Sequence, residues 1–339
     1  MATAMVNGVE LYYEVTGTGD CLVLTHGSWT DGASWEPAVA RLAERYQVVV
    51  WDRRGHSRSR PGDGPGSRAE DAADLAGLIE HLSGDPVHVA GNSYGANVTL
   101  TMLTARPDLV ATAAVHEPPL WGLLEGTRDR VLLDELSAAD ADLAVVQDLI
   151  NSGAHHDAAE HFIEHVALGR GTWDQLPEPF RAVLEANAPT YLDELADDTA
   201  LSIDTAALAA TDVPLLLTHG TESPKLFPAV IAELETLVPT ARVEVLEGAG
   251  HIPHATHPDE WTARLMAFHE QHTGSPHDWR SCPRPLGATS NTSMPKPGHH
   301  PFRRDVVRDG EWPPVAVTRR VHIDGSGRRS GAPYRSATG

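Results

Sequence analysis

Short apolar runs separated by polar turns dominate the first 272 residues. They fall at 10–15 (ELYYEV), 21–26 (CLVLTH), 46–52 (YQVVVWD), 87–91 (VHVAG), 111–117 (ATAAVHE), 214–220 (PLLLTHG) and 242–248 (RVEVLEG). Runs of this length bounded by turn residues predict strands, and the stretches between them carry helical periodicity. Ser67 followed three residues later by Glu70 forms a capping box, which predicts a helix running to about Leu82. A second helix is expected from just after Ser93 to near Arg106, where Pro107 stops it, and a third over 258–272. Strands alternating with helices predict an α/β fold, a mostly parallel central sheet flanked by helices.

From Pro118 to Thr211 the strand pattern stops. Helical segments such as 130–150 (RVLLDELSAADADLAVVQDLI) and 157–169 (DAAEHFIEHVALG) fill the interval. The expected organisation is a core of residues 1–117 and 212–272, with a helical insertion at 118–211 between two strands. No internal repeat is visible. After about residue 273 the chain becomes rich in Pro, Gly, Ser and Arg and loses apolar periodicity, so 273–339 is expected to be a disordered tail.

Charge sharpens that division. The chain carries a formal net charge of −21, with 26 Lys/Arg against 47 Asp/Glu. From Thr273 onward there are 11 Lys/Arg and 5 Asp/Glu, which leaves 15 against 42 in residues 1–272. So acidic a body argues against nucleic-acid binding and against anionic membrane surfaces. Cys21 and Cys282 make no disulfide framework, and the N-terminus shows neither a basic n-region nor an apolar h-region. A cytoplasmic protein is expected, and the oligomeric state is not legible.

Chemistry enters at VHVAGNSYGAN. An apolar strand is followed by Gly91-Asn92-Ser93-Tyr94-Gly95 and then a helix, which is G-x-S-x-G in its structural context. A sharp strand-to-helix turn strains the serine backbone and demands small neighbours, while the hydroxyl stands exposed above the sheet. The N–H of Tyr94, opening the helix, is placed to face an oxyanion. In LVLTHGSWTDGASW, His26-Gly27 end a strand, so the N–H of Ser28 is the candidate second donor, and His26 is read as structural. EGAGHIPHATHP puts His251 in a Gly-flanked loop after the last strand. The chain order Ser93, then His251, suits a serine nucleophile with a histidine base.

These pieces, together with VNGVELYYEVTGTG and DRRGHSRS, resemble the serine-nucleophile α/β-hydrolases over roughly residues 5–272. The resemblance implies Ser93 as nucleophile, His251 as base, Ser28 and Tyr94 as oxyanion donors, and 118–211 as a cap over the site. Two positions depart from the family pattern. Ser57 stands where the arginine-containing loop usually has its second glycine. Ser223 stands where the triad acid usually follows the strand at 214–220. Two carboxylates can replace that acid: Glu117, stiffened by Pro118-Pro119 after the strand that follows the nucleophile helix, and Glu222, one residue early in the usual turn. Glu117 is the first candidate and Glu222 the alternative.

The expected activity is hydrolysis of a small apolar carboxylic ester through an acyl-enzyme, with no metal or organic cofactor. Trp29, Trp35, Leu120 and Trp121 are the expected pocket residues. The same triad also serves cofactor-free perhydrolase, haloperoxidase-like or C–C bond hydrolase chemistry, and a non-catalytic binding protein of this fold is the remaining alternative. The segment 161–165 (HFIEH) matches the H-x-x-E-H motif of some zinc peptidases. No third ligand at suitable spacing is evident, so those histidines are expected to be surface and packing residues.

Overall fold

A computed structural model describes residues 1–272; the basic tail lies outside the described residues. One sheet contains eight strands, β1 (Ala2–Val6), β2 (Val9–Thr16), β3 (Asp20–Thr25), β4 (Tyr46–Trp51), β5 (Val87–Asn92), β6 (Val110–His116), β7 (Leu215–Gly220) and β8 (Arg242–Leu246). Their order is β1-β2-β4-β3-β5-β6-β7-β8. The β1–β2 and β2–β4 pairings are antiparallel and the others parallel. All the strands expected from sequence are present, and β1 is additional. It joins β2 through Asn7-Gly8, with φ of 48° and 81°, the left-handed pair that a two-residue hairpin turn requires.

The strands explain why the sheet is buried on both faces. Successive side chains point to opposite sides, so Val23, Val89, Leu215 and Leu217 enter one core while Leu22, Leu24, Ala90 and Leu216 enter the other. The first core is closed by α2 (Arg68–Leu82), α3 (Tyr94–Ala105) and α9 (Leu226–Leu237); the second by α1 (Glu36–Leu42) and α11 (Pro258–His272). Ser67 caps α2, its Oγ accepting the Glu70 N–H at 3.3 Å.

Between β6 and β7 the chain forms α4 (Arg130–Asn151), α5 (His155–Phe162) running into a π turn (Ile163–Ala167), α6 (Glu178–Asn187), α7 (Tyr191–Ala196) and α8 (Thr205–Ala209). These helices bury their own apolar cluster, including Val146, Ile150, Phe180 and Leu184, and seat it on Trp29. Trp29 stacks on Phe162 at 5.1 Å and meets Tyr191 at 5.1 Å. The inserted helices therefore rest on the loop after β3, at the carboxyl ends of the strands, where open parallel sheets bind ligands. A short helix, α10 (Pro253–Thr256), follows β8. Among the described residues no helix is long and apolar enough to cross a membrane.

Candidate active site

The segments that follow β3, β5, β6 and β8 meet at one cavity. Ser93 follows β5 with φ 55° and ψ −129°, a conformation that costs a non-glycine residue roughly 1–3 kcal/mol and persists only where the surroundings enforce it. The enforcement is visible in the two glycines. A Cβ on Gly91 would collide with the Gly95 carbonyl, and one on Gly95 with the carbonyls of Thr25 and His26. The Ser93 N–H donates to His116 O at 2.9 Å, which ties the elbow to β6. Tyr94 opens α3, so its N–H has no partner within the helix and lies at the positive end of the helix dipole.

Glu117, directly after β6, is the carboxylate that meets His251. Its Oε2 lies 2.7 Å from His251 Nδ1, and its Oε1 accepts the Gly220 N–H at 2.8 Å. The residue is fully buried and itself has positive φ, 49°. Burial pushes its pKa up, but the adjacent His116 ring and the hydrogen bond from His251 overcome that and hold it down at about 2. An ionised carboxylate only accepts, so His251 Nδ1 is the donor in this contact. Two residues not singled out in the sequence fix the imidazole. Asn92 Nδ2 donates to the His251 carbonyl at 2.8 Å, and Phe227 of α9 stacks on the ring at 4.2 Å. Asn92 is the variable residue before the serine in G-x-S-x-G. Phe227 carries no local signal at all.

Ser28, Ser93, Phe162, Ala167 and His251 line both a chamber of about 240 Å³ and a narrower one of about 50 Å³. Tyr94, Leu143, Val166, Leu201 and Phe227 complete much of the larger wall, with Glu194, Asp197 and Asp198 at one side. Glu194, from α7, accepts the Ser28 hydroxyl at 2.5 Å and Arg53 Nη2 at 2.6 Å; Arg53 also binds Asp71 at 2.6 Å. This chain of buried charges connects α2, the loop after β4, the loop after β3 and the inserted helices. Burial raises the Glu194 pKa, against the opposing pull of Arg53 and the Ser28 hydroxyl.

The other expected residues divide. Trp29 lines the narrower chamber and Trp121 the larger one. Trp35 and Leu120 do not line either chamber: both are fully buried in the cores. Trp35 packs against His254 at 4.1 Å and Trp261 at 5.3 Å, and Leu120 is turned inward where its N–H bonds the Pro118 carbonyl at 2.8 Å. Glu222 is exposed, with its N–H held by Ala249 O at 2.9 Å, and makes no bond to His251. His26 is buried and accepts the Arg53 N–H at 2.9 Å through Nε2, in keeping with a structural role. Ser57 keeps the left-handed backbone of the glycine it replaces, φ 43°, and Asn187 of α6 accepts its N–H at 2.9 Å. Asn187 also donates to the carbonyls of Trp29 and Thr30, both at 3.1 Å, so the substitution coincides with a tether between the loop and the inserted helices.

The chain is similar in sequence and in fold to known proteins. Over 126 residues, 37% of this chain and 46% of the other, the chain is 36% identical to an uncharacterized hydrolase, YraK, of Bacillus subtilis. It is 27% identical over 268 residues to a putative carbamate hydrolase, RutD, of Azorhizobium caulinodans, covering 76% of this chain and 94% of that one. A solved alpha/beta hydrolase from Sphaerobacter thermophilus superposes with a TM-score of 0.65 at 26% identity, over 79% of this chain and 100% of that chain. A sequence profile described as the alpha/beta hydrolase family matches residues 22–265, from within β3 into α11. The chain belongs to the alpha/beta hydrolase family.

Proposed function

We propose that this hydrolase cleaves a small apolar carboxylic ester, or a closely related acyl bond, through an acyl-enzyme on Ser93. The observation that carries the reading is the buried Glu117–His251 bond of 2.7 Å, opening on the same chamber as the strained Ser93. His251 accepts the Ser93 proton as the hydroxyl attacks the carbonyl, and Glu117 stabilises the imidazolium that forms. The N–H groups of Ser28 and Tyr94 receive the developing oxyanion. The imidazolium then protonates the leaving alcohol, and water, activated by the same histidine, releases the acid. The inserted helices act as a cap whose underside supplies Phe162, Val166 and Ala167.

Wall chemistry narrows the substrate. The larger chamber is chiefly apolar, and its charged members Glu194, Asp197 and Asp198 are all acidic. A substrate carrying a carboxylate would meet repulsion there, so neutral esters are favoured. The relative named for carbamate hydrolysis implies a carbonyl electrophile as well, so carbamates belong in the same screen. The test is turnover of p-nitrophenyl acetate and butyrate by the wild type and Ser93→Ala, with a monoester of a dicarboxylic acid for comparison. Neutral esters should be turned over, the dicarboxylate monoester poorly, and Ser93→Ala not at all. Equal turnover by Ser93→Ala would reject the serine mechanism.

A further inference from the structure

The H-x-x-E-H segment has a partner that its own sequence does not contain. His161 lies in α5 and His165 in the π turn, and their rings stack in parallel with centroids 4.2 Å apart and planes 5° apart. Asp142 of α4 reaches both: its Oδ1 is 2.8 Å from His161 Nε2 and 3.5 Å from His165 Nδ1. One donor atom from each residue lies within 4.8 Å of the other two. Donors on a tetrahedral zinc, with bonds of about 2.0–2.1 Å, sit roughly 3.3 Å apart, and the two Asp142 separations bracket that value. The two histidine nitrogens lie within 4.8 Å of each other, and because an imidazole binds a metal in its own ring plane, the parallel rings must swing out of their stack for both lone pairs to meet one ion.

We propose that Asp142, His161 and His165 form a divalent transition-metal site on the outer side of the inserted helices. Two imidazoles and one carboxylate suit Zn²⁺, Co²⁺ or Ni²⁺ rather than Mg²⁺ or Ca²⁺, which favour all-oxygen sets. The side chains are 22–26% exposed, so an ion reaches them from solvent and water completes the coordination. The ion takes the place of the imidazole proton now shared with Asp142. Glu164, the acidic member of the motif, turns away and accepts the backbone N–H groups of Gly171 and Trp173 instead. The base that a zinc peptidase needs is therefore absent from this cluster, and the ion's role is structural. Each ligand helix also faces inward: Leu143, next to Asp142, and Val166, next to His165, line the larger chamber. A metal bridging α4 to the π turn therefore pins the roof of that chamber from outside. The nearby His156, Asp157 and Glu160 group contains one histidine and is wholly exposed, so it serves as the control.

The experiment uses the full chain, stripped with EDTA and titrated with Zn²⁺ against a chromophoric chelator. Co²⁺ serves as a spectroscopic probe of nitrogen ligation. The parent should bind one zinc at this site, with affinity falling more than about 100-fold in His161→Gln, His165→Gln and the near-isosteric Asp142→Asn, given that loss of an outer-shell partner alone costs about 10–100-fold. His156→Gln should leave it unchanged. Saturating zinc should raise the parent's melting midpoint by roughly 5 °C, with no rise in His165→Gln. Circular dichroism confirms that each variant is folded, and Asp142→Asn keeps the packing if a histidine variant does not fold. Zinc binding unchanged by these substitutions, lost instead in His156→Gln, or absent in the parent overturns the proposal.

Discussion

Replacing Glu117 with glutamine removes one charge and almost no volume, and it also puts an amide NH2 where the oxygen that accepts from His251 Nδ1 now stands. The Gly220 N–H retains an oxygen to bond, and the buried site remains filled. What disappears is a carboxylate 2.7 Å from His251 Nδ1, held ionised by a pKa of about 2. That charge matters most when His251 becomes an imidazolium in the transition state. With charge centres about 4 Å apart and an effective dielectric near 20, the lost attraction is about 4 kcal/mol. At 1.36 kcal/mol per decade this is roughly a 10³-fold fall in rate. The fall should appear in kcat with little change in KM, because the ground state carries no imidazolium. Steady-state kinetics on a p-nitrophenyl ester measures it, with Glu222→Gln as the exposed control, expected within about twofold of wild type. A Glu117→Gln enzyme within tenfold of wild type, or an equal loss in Glu222→Gln, would refute the assignment of the acid.

Two further outcomes follow from buried charge. Burial holds His88 and His116 down to about 4, and burial first also lowers His26, His56, His254 and His269. Between about pH 6.5 and 4 the unfolded chain takes up protons that the folded protein refuses, so stability is lost as pH falls through that window. His88 and His116 each account for about 3 kcal/mol once the pH is below 4, a large share of a folding free energy of about 5–15 kcal/mol, so the urea midpoint should fall from pH 7.5 to 5.0. Urea midpoints at pH 7.5 and 5.0 check this, and equal midpoints would contradict it. Glu117 acts in a lower window, its contribution fading only from about 4.5 towards 2. Arg53→Met strands Asp71 and Glu194 as buried, unpaired carboxylates, for an expected loss of about 3–5 kcal/mol in urea unfolding. A loss below about 1 kcal/mol would mean that the network relaxes or neutralises readily.

The sequence was most legible where a local pattern carries the information. Strands declared themselves as short apolar runs, and Ser93 by two glycines whose absent Cβ atoms are what the elbow requires. β1 is marked only by the Asn7-Gly8 turn that joins it to β2. What local pattern misses is spatial pairing. The Glu117–His251 bond spans 134 positions, and Glu222, the alternative in the usual turn, is placed at the surface by packing that no local pattern records. Asp142 completes the histidine pair across 19 positions and from another helix, beyond the reach of a motif. Trp35 and Leu120 show the converse error. Proximity in sequence to the site suggested pocket walls, but the side-chain directions at a short helical turn and after Pro118-Pro119 place both in the cores.

The most direct test of the central claim is labelling by a fluorophosphonate, with the adduct located by peptide mass spectrometry. The account predicts one adduct, on Ser93, formed rapidly by wild type, slowed strongly by Glu117→Gln and absent in Ser93→Ala. Labelling no faster than in Ser93→Ala would mean that Ser93 is not activated and that this fold serves binding rather than acyl transfer.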